Sequence, residues 1–261
     1  DLNLNQQESD ELDKEIKSLK DSGFDITLQL LDHHITGKVS AAKYDWYFLD
    51  DKRCATKIVF DYLLKEFKAP LNDYKEWVDT VNAVDIWLEN EKENFEFGKV
   101  LMSMVTKARE INSILFNSLD RDFKFYLLKN SIGFLSLENA PIVLDNSVHF
   151  LKKEFLKDGF DDTLDNLSAS YLVKSLDKIK DDLTIYYNGQ KGLMTYCLGA
   201  ISIPANSFLR ANSDYDFFID ISRKGNASFR ADGKLDVSQL ASKLGNGGGH
   251  VNASGCKFDD F

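Results

Sequence analysis

The chain has 261 residues, 43% of them hydrophobic, which is enough for two domains with separate apolar cores. Its 42 acidic residues outnumber its 32 basic residues, giving a formal net charge of −10. This balance argues against an extended groove for long nucleic acid, because such a groove needs a basic stripe to displace counterions. The sequence also lacks an apolar run of the roughly 20 residues that a membrane span requires.

The first predicted elements form a strand, a helix and a second strand. Residues 1–4 resemble the end of a strand, and residues 25–31 form a short apolar run typical of a buried strand. Asn5 and Glu8 predict a capping box that opens the helix, and Gly23 predicts its end. This order predicts a parallel sheet, in which ligands bind at the carboxyl ends of the strands.

Three polar residues follow the second strand directly: Asp32, His33 and His34. Adjacent histidines after an apolar run are poorly suited to a core. They are well suited to metal ligation and to phosphate contacts at the edge of a sheet. A pair of surface histidines after a strand is the alternative that these three residues alone leave open.

The middle of the chain is mostly helical, and the end is rich in strands. Residues 100–129 and residues 166–180 show helical spacing of apolar side chains. Three strand-like runs follow, at residues 193–198, 216–221 and 226–230. This change of pattern predicts two α/β lobes with a helical connector near residues 130–185.

A glycine-rich string closes the chain. Asp236 predicts the cap of a short helix, and the string after that helix consists of Gly247, Gly248, Gly249 and His250. Glycines would let backbone N–H groups approach an anion, and His250 would add a donor. Arg230 could bind a phosphate with two hydrogen bonds, and Arg210 and Arg223 are weaker candidates. A flexible turn with a chance histidine is the alternative.

Together these strings resemble the DHH phosphoesterase superfamily with its DHH-associated C-terminal domain. Residues 1–4 resemble the family's second motif, residues 54–57 the start of the helix after Asp-His-His, and residues 84–87 the fourth motif. The Asp-Ile-Trp form of that fourth motif is similar to the B-type oligoribonucleases (nano-RNases). The family's first motif, a His-x-x-x-Asp-x-Asp-like string, does not occur in the sequence, and we expect it upstream of Asp1.

The resemblance implies an α/β fold with two lobes. Residues 1–130 would form a parallel-sheet DHH domain that binds metal and carries catalysis, with its first strand missing. Residues 131–182 would form a helical connector. Residues 183–261 would form the smaller α/β DHH-associated domain that binds substrate.

The resemblance also implies the chemistry. Two Mn²⁺ ions, with Mg²⁺ or Co²⁺ possible, would activate water to hydrolyse short oligoribonucleotides to nucleoside monophosphates. Asp1, His33 and Asp85 would be metal ligands, a mixed nitrogen and oxygen set that suits Mn²⁺. His34 would contact the scissile phosphate or assist the leaving oxygen, and Asp32 would orient the motif. Asp79 is the alternative to Asp85, because spacing alone does not separate them.

In the C-terminal domain, substrate would be bound by Arg230, Gly247, Gly248, Gly249 and His250. Other candidate substrates are 3′-phosphoadenosine 5′-phosphate and cyclic dinucleotides. If the first motif is absent from the gene, a nucleotide-binding module without catalysis is the alternative. The three scattered cysteines, Cys54, Cys197 and Cys256, favour a reduced, cytoplasmic setting. We expect short RNA or nucleotides as partners and no membrane, and a homodimer is compatible with the sequence.

Overall fold

The computed structural model describes residues 2–258, which fall into two compact units. Unit 1 contains the described residues up to 103 together with residues 131–145, and unit 2 contains residues 104–130 and those from 146 onward. Both units contain helices and strands, so the predicted α/β class is confirmed. Within the described residues, no helix combines the length and the apolar character needed to cross a bilayer.

Helix α1 (Gln6–Asp21) opens unit 1 with the predicted capping box. The Asn5 side chain accepts a hydrogen bond from the Glu8 N–H at 3.0 Å, and the Glu8 carboxylate accepts one from the Asn5 N–H at 2.8 Å. The helix ends as predicted, because Gly23 follows with a φ of +91° that favours glycine.

The sheet of unit 1 is a parallel pair of short strands, β1 (Leu30–Asp32) and β2 (Tyr47–Leu49). The predicted strand at 25–31 was too long, since residues 25–29 have no regular structure. The reason is that β2 offers only three residues for pairing. Residues 2–5 also lie outside regular structure, and Asp1 lies outside the described residues.

The remaining helices before the second sheet are α2 (Lys38–Lys43), α3 (Ala55–Phe67), α4 (Lys75–Asp85), α5 (Lys92–Thr106), α6 (Asn117–Ser131), α7 (Ala140–Leu156) and α8 (Leu164–Asp177). Short 3₁₀ turns occupy Ile35–Gly37, Asn72–Tyr74 and Ile132–Phe134.

The region 100–129, predicted to be mostly helical, is divided between α5 and α6, and an asparagine lies at the break. The Asn112 side-chain oxygen accepts hydrogen bonds from the N–H groups of Ile114 and Leu115 at 3.0 and 2.8 Å. Such side-chain bonds compete with the helical pattern.

Unit 2 contains a mixed six-stranded sheet in the order β3-β4-β5-β6-β8-β7, and only β4 and β5 are parallel neighbours. Its strands are β3 (Thr184–Tyr187), β4 (Gln190–Tyr196), β5 (Phe217–Ile221), β6 (Asn226–Ala231), β7 (Gly248–His250) and β8 (Ala253–Lys257). The three predicted strands correspond to β4, β5 and β6 and are confirmed.

Helices cover both faces of this sheet. Phe217 and Ile219 of β5 belong to an apolar cluster with α10 (Val237–Leu244). Phe218, between them, points to the opposite face and meets Phe208 of α9 (Ser202–Ala211) with ring centroids 5.8 Å apart. The alternation along β5 therefore places α9 and α10 on opposite faces of the sheet.

Candidate functional site

A single buried carboxylate organises the Asp-His-His string. Asp32 ends β1 with no exposed surface. Its Oδ1 accepts hydrogen bonds from the backbone N–H groups of His33 at 2.8 Å and His34 at 3.1 Å. The same oxygen lies 2.7 Å from Nδ1 of the His34 ring. Asp32 therefore fixes the backbone of both histidines and the orientation of one of their rings.

The charge of Asp32 determines the tautomer of His34. Burial by itself would raise the pKa of Asp32, but hydrogen bonds from Tyr47, from His34 and from the two backbone amides outweigh it and hold the pKa below its usual 3.8. Asp32 is therefore ionised at neutral pH and can only accept hydrogen bonds. Nδ1 of His34 consequently carries the proton, and Nε2 is the acceptor nitrogen of the neutral ring.

Tyr47 and Gly37 complete the setting of Asp32, and the sequence did not predict either role. The Tyr47 hydroxyl donates to Oδ2 of Asp32 at 2.5 Å. Burial, together with this contact, raises the pKa of Tyr47 to about 12. A Cβ at Gly37 would lie 2.2 Å from the Tyr47 hydroxyl oxygen, so glycine makes room for this bond. The available signal was the glycine three residues after His34.

His33 faces Asp85, the aspartate of the predicted fourth motif. Asp85 is the last residue of α4, and its Oδ2 lies 3.7 Å from Nε2 of His33. Metal–nitrogen and metal–oxygen bonds of about 2.0–2.2 Å each would let one cation touch both atoms. An imidazole nitrogen with a carboxylate oxygen also suits a divalent transition metal. These two residues therefore fit the predicted metal as a pair of ligands.

Asp79, the alternative to Asp85, is engaged elsewhere. Its carboxylate oxygens lie 2.6 Å from Lys75 Nζ and 3.2 Å from Lys57 Nζ. Burial would raise its pKa, but these two lysines outweigh burial and lower it. The remaining predicted ligand, Asp1, lies outside the described residues. Across residues 2–258, no three His, Cys, Asp or Glu side chains form a group that could hold a metal.

In unit 2, strand register brings Arg230 and His250 onto one face of the sheet. Ala253 of β8 is paired with Arg230 of β6 on one side and with His250 of β7 on the other. Directly paired residues project from the same face, and neighbouring strands lie about 4.8 Å apart. The backbones of Arg230 and His250 are therefore about 10 Å apart, with only a methyl side chain between them.

Arg230 lies at a polar cavity of about 500 Å³. Its guanidinium donates to the Phe229 carbonyl at 2.8 Å and to the Ser202 hydroxyl at 3.0 Å. Arg210, a weaker candidate from the sequence, lines the same cavity. So do three amide side chains that the sequence did not single out, those of Asn166, Asn206 and Asn252. Asp232 lines the cavity as well, so the two arginines leave a surplus of positive charge that, with the amide donors, suits a phosphate.

The sequence left the glycine string open between an anion-binding backbone and a flexible turn, and in the structure Gly248–His250 form edge strand β7. A Cβ at Gly247 would lie 2.3 Å from the Gly255 carbonyl oxygen, and one at Gly249 would lie 2.6 Å from that of Ala253. Close approach to β8 thus requires glycine at both positions. Gly248 has open space around its Cα, so of the three glycines it alone leaves room for a ligand at the backbone.

Comparison with known proteins identifies two similar chains from Helicobacter pylori. One is named 3′,5′-cyclic-nucleotide phosphodiesterase; it is 43% identical over 266 aligned residues, which span 100% of this chain and 76% of that protein. The other is the crystal structure of an uncharacterised protein from a second strain, with 44% identity, a TM-score of 0.81 and the same shares of the two chains. No profile of a known protein family matches the chain.

Proposed function

The chain belongs to the family of the Helicobacter pylori protein named 3′,5′-cyclic-nucleotide phosphodiesterase, and we propose that it is a metal-dependent phosphodiesterase of short nucleotide substrates. The relationship supports a phosphoric ester hydrolase. Metal dependence is supported by one observation: His33 Nε2 and Asp85 Oδ2 lie 3.7 Å apart. The next residue, His34, is a second histidine, and Asp32 orients its ring.

His33 and Asp85 would hold a divalent cation, with Asp1 as a further ligand by the resemblance to the DHH superfamily. We expect Mn²⁺, and two ions in the complete site. When bound, the metal supplies positive charge for the phosphoryl oxygens and lowers the pKa of a coordinated water. The protein contributes the fixed position of both donor atoms, which the short β1 strand and the end of α4 provide.

His34 would act on the phosphodiester rather than on the metal. Its Nδ1 proton is committed to Asp32, so Nε2 is the ring atom that can exchange a proton with substrate. In its protonated form the ring would donate to a phosphoryl oxygen or to the leaving oxygen. The ionised Asp32 stabilises this imidazolium, as carboxylates do for paired histidines in hydrolases.

Two substrate classes are supported by different observations. Short oligoribonucleotides, cleaved to nucleoside monophosphates, are our leading substrate. They follow from the resemblance to the nano-RNases and from a net charge of −10, which disfavours long nucleic acid. The name of the Helicobacter pylori relative favours a 3′,5′-cyclic nucleotide as the second candidate. Arg230 and Arg210 would bind a second phosphate of an oligoribonucleotide, which a 3′,5′-cyclic nucleotide does not have.

The test is an assay of the full-length protein with Mn²⁺ on RNA of two to twenty nucleotides and on 3′,5′-cyclic AMP. We expect turnover that falls with RNA length and disappears after exhaustive chelation. Preferential turnover of cyclic AMP would replace the leading substrate with the second. Undiminished activity after chelation would contradict the metal-dependent mechanism. Nucleotide binding without any turnover would identify a binding module instead of an enzyme.

A further inference from the structure

Trp87 has a backbone conformation that side chains rarely adopt. It follows the end of α4 with a φ of +59°. The next residue, Leu88, donates its N–H to the Ala83 carbonyl at 2.7 Å. This is the six-to-one hydrogen bond of a helix C-terminal motif, and the left-handed position of that motif is usually glycine. A Cβ at this position costs free energy, so glycine would serve the backbone better. Residues held in such conformations concentrate at ligand-binding positions.

Burial does not explain the tryptophan. Its side chain is 60% exposed. The indole meets Phe95 edge to face, with centroids 5.0 Å apart and planes at 81°, and its Nε1 donates to Glu89 at 2.8 Å. The ring is thus held in one orientation while most of its surface faces solvent. That combination of a rigid and accessible aromatic ring suits stacking of a planar ligand.

Trp87 lies close along the chain to one of the two candidate metal ligands. Asp85, whose carboxylate faces His33, is only two residues earlier, so the two Cα atoms are at most about 7 Å apart. In a nucleotide, a ribose separates the base from its phosphate. A phosphodiester bound at His33 and Asp85 therefore places a base within reach of the indole.

We propose that Trp87 is a stacking platform for the nucleobase adjacent to the scissile phosphodiester. This inference rests on the proposed phosphodiesterase function and adds the part of the substrate that the protein recognises there. Stacking accepts every base, because each base has a π-face. The platform would therefore select nucleotides over other phosphodiesters without selecting a base sequence.

The test separates base stacking from backbone structure. Trp87→Gly removes the ring and relieves the left-handed strain. Lys68→Gly is the matched control, because Lys68 follows α3 with a φ of +49° and is exposed. Calorimetry in Mn²⁺ buffer measures binding of AMP, of UMP and of ribose 5-phosphate, which lacks a base. Thermal unfolding is measured on the same variants.

We expect Trp87→Gly to weaken AMP and UMP binding about 5- to 150-fold, the range measured for loss of one base–aromatic stack. Its affinity for ribose 5-phosphate should match that of Lys68→Gly, and the melting temperatures should show that both variants are folded at the temperature of the binding measurement. Trp87→Phe should restore most of the nucleotide affinity. AMP binding should also quench tryptophan fluorescence in the unmodified protein but not in Trp87→Phe.

Three results would overturn the platform. One is an equal loss for AMP and ribose 5-phosphate, which would mean that Trp87 supports the Asp85 site structurally. The others are unchanged nucleotide binding in Trp87→Gly, and an unmodified protein that binds AMP no better than ribose 5-phosphate. A different result contradicts the proposed phosphodiesterase function and leaves the platform intact. In that result the unmodified protein binds AMP better than ribose 5-phosphate but hydrolyses no phosphodiester.

Discussion

The candidate sites of the two units are ordered in different ways. In unit 1, one fully buried carboxylate fixes two histidines through contacts of 2.7–3.1 Å. In unit 2, strand register places Arg230 and His250 on one face of the sheet. Arg230 also lines an open cavity. The first arrangement suits positioning of reacting atoms, which tolerates little displacement. The second suits capture of an anion by donors that can adjust.

A comparison of one cavity from each unit also favours unit 2 as the part that captures an anion. Unit 1 has a cavity of about 520 Å³, close in volume to the one of about 500 Å³ in unit 2. The arginine of the first cavity, Arg53, is already held by Asp50 at 2.7 Å and Asp61 at 2.6 Å. Arg210 in the second cavity forms no ion pair with any residue from 2 to 258. Available charge, rather than volume, therefore favours the second cavity for the proposed anion binding.

The largest expected effect separates the two histidines of unit 1. His34→Ala should lower kcat about 10²- to 10⁴-fold, the usual contribution of an acid–base group, with unchanged Mn²⁺ affinity. His33→Ala should weaken Mn²⁺ binding itself. Calorimetric Mn²⁺ titration and steady-state kinetics measure both, and His149→Ala on α7 is the control, with no change in either expected. Equal Mn²⁺ affinity in the His33 and His34 variants would refute their assigned roles.

The next effect tests the role of unit 2 in substrate binding. Arg230→Ala should reduce kcat/KM on a dinucleotide about ten- to hundred-fold, the 1.5–3 kcal/mol of a hydrogen bond to a charged group. A minimal phosphodiester should be affected far less, since it has no second phosphate to bind. Arg121→Ala, which removes an equal charge from an exposed position of the same unit, should change neither. Equal losses on both substrates would mean that Arg230 acts at the scissile phosphate or supports the fold.

The sequence predicted the elements whose patterns are local. The capping box of α1, the strands β4 to β6 and the Asp236 cap of α10 depend on neighbouring residues, and all are present. The edge-strand conformation of the glycine string could not be predicted locally, because it depends on packing against β8, a strand that comes later in the chain. The break between α5 and α6 likewise depends on the Asn112 side chain.

Part of the site was predictable, and part depends on contacts distant in sequence. The motifs predicted that His33 and Asp85 belong together, and their side chains do face each other. Nothing local indicated Tyr47, which reaches Asp32 from the neighbouring strand. Spacing could not separate Asp79 from Asp85, because the distinction arises from two lysines, on α3 and α4, that engage Asp79.

A smaller effect tests the buried anchor of unit 1. Tyr47→Phe leaves Oδ2 of Asp32 buried without its donor, so the free energy of unfolding should fall by about 1–3 kcal/mol. The pKa of Asp32 lies below its usual 3.8, so Asp32 stabilises the fold above that pH and less as the pH falls. Losing Tyr47 raises that pKa, and acid unfolding should begin at a higher pH.

Urea unfolding at pH 7 and an acid titration measure these changes. Tyr44→Phe is the matched control, because it removes a similar hydroxyl bond, 2.6 Å long, to an exposed carboxylate, that of Asp10. If the two variants lose equal stability, the buried bond to Asp32 is not the anchor described above.

The smallest effect separates the two aspartates of α4. Asp79→Asn removes partly exposed ion pairs with Lys57 and Lys75, so it should cost less than about 1 kcal/mol of stability and leave Mn²⁺ affinity unchanged. Asp85→Asn should leave stability nearly unchanged but weaken Mn²⁺ binding, because it removes the charge that faces His33. Urea unfolding and Mn²⁺ calorimetry are measured on both variants. We expect Asp79→Asn to lose only stability and Asp85→Asn to lose only Mn²⁺ affinity. Loss of Mn²⁺ affinity in Asp79→Asn alone would transfer the ligand role to Asp79 and require its lysines to rearrange when the metal binds.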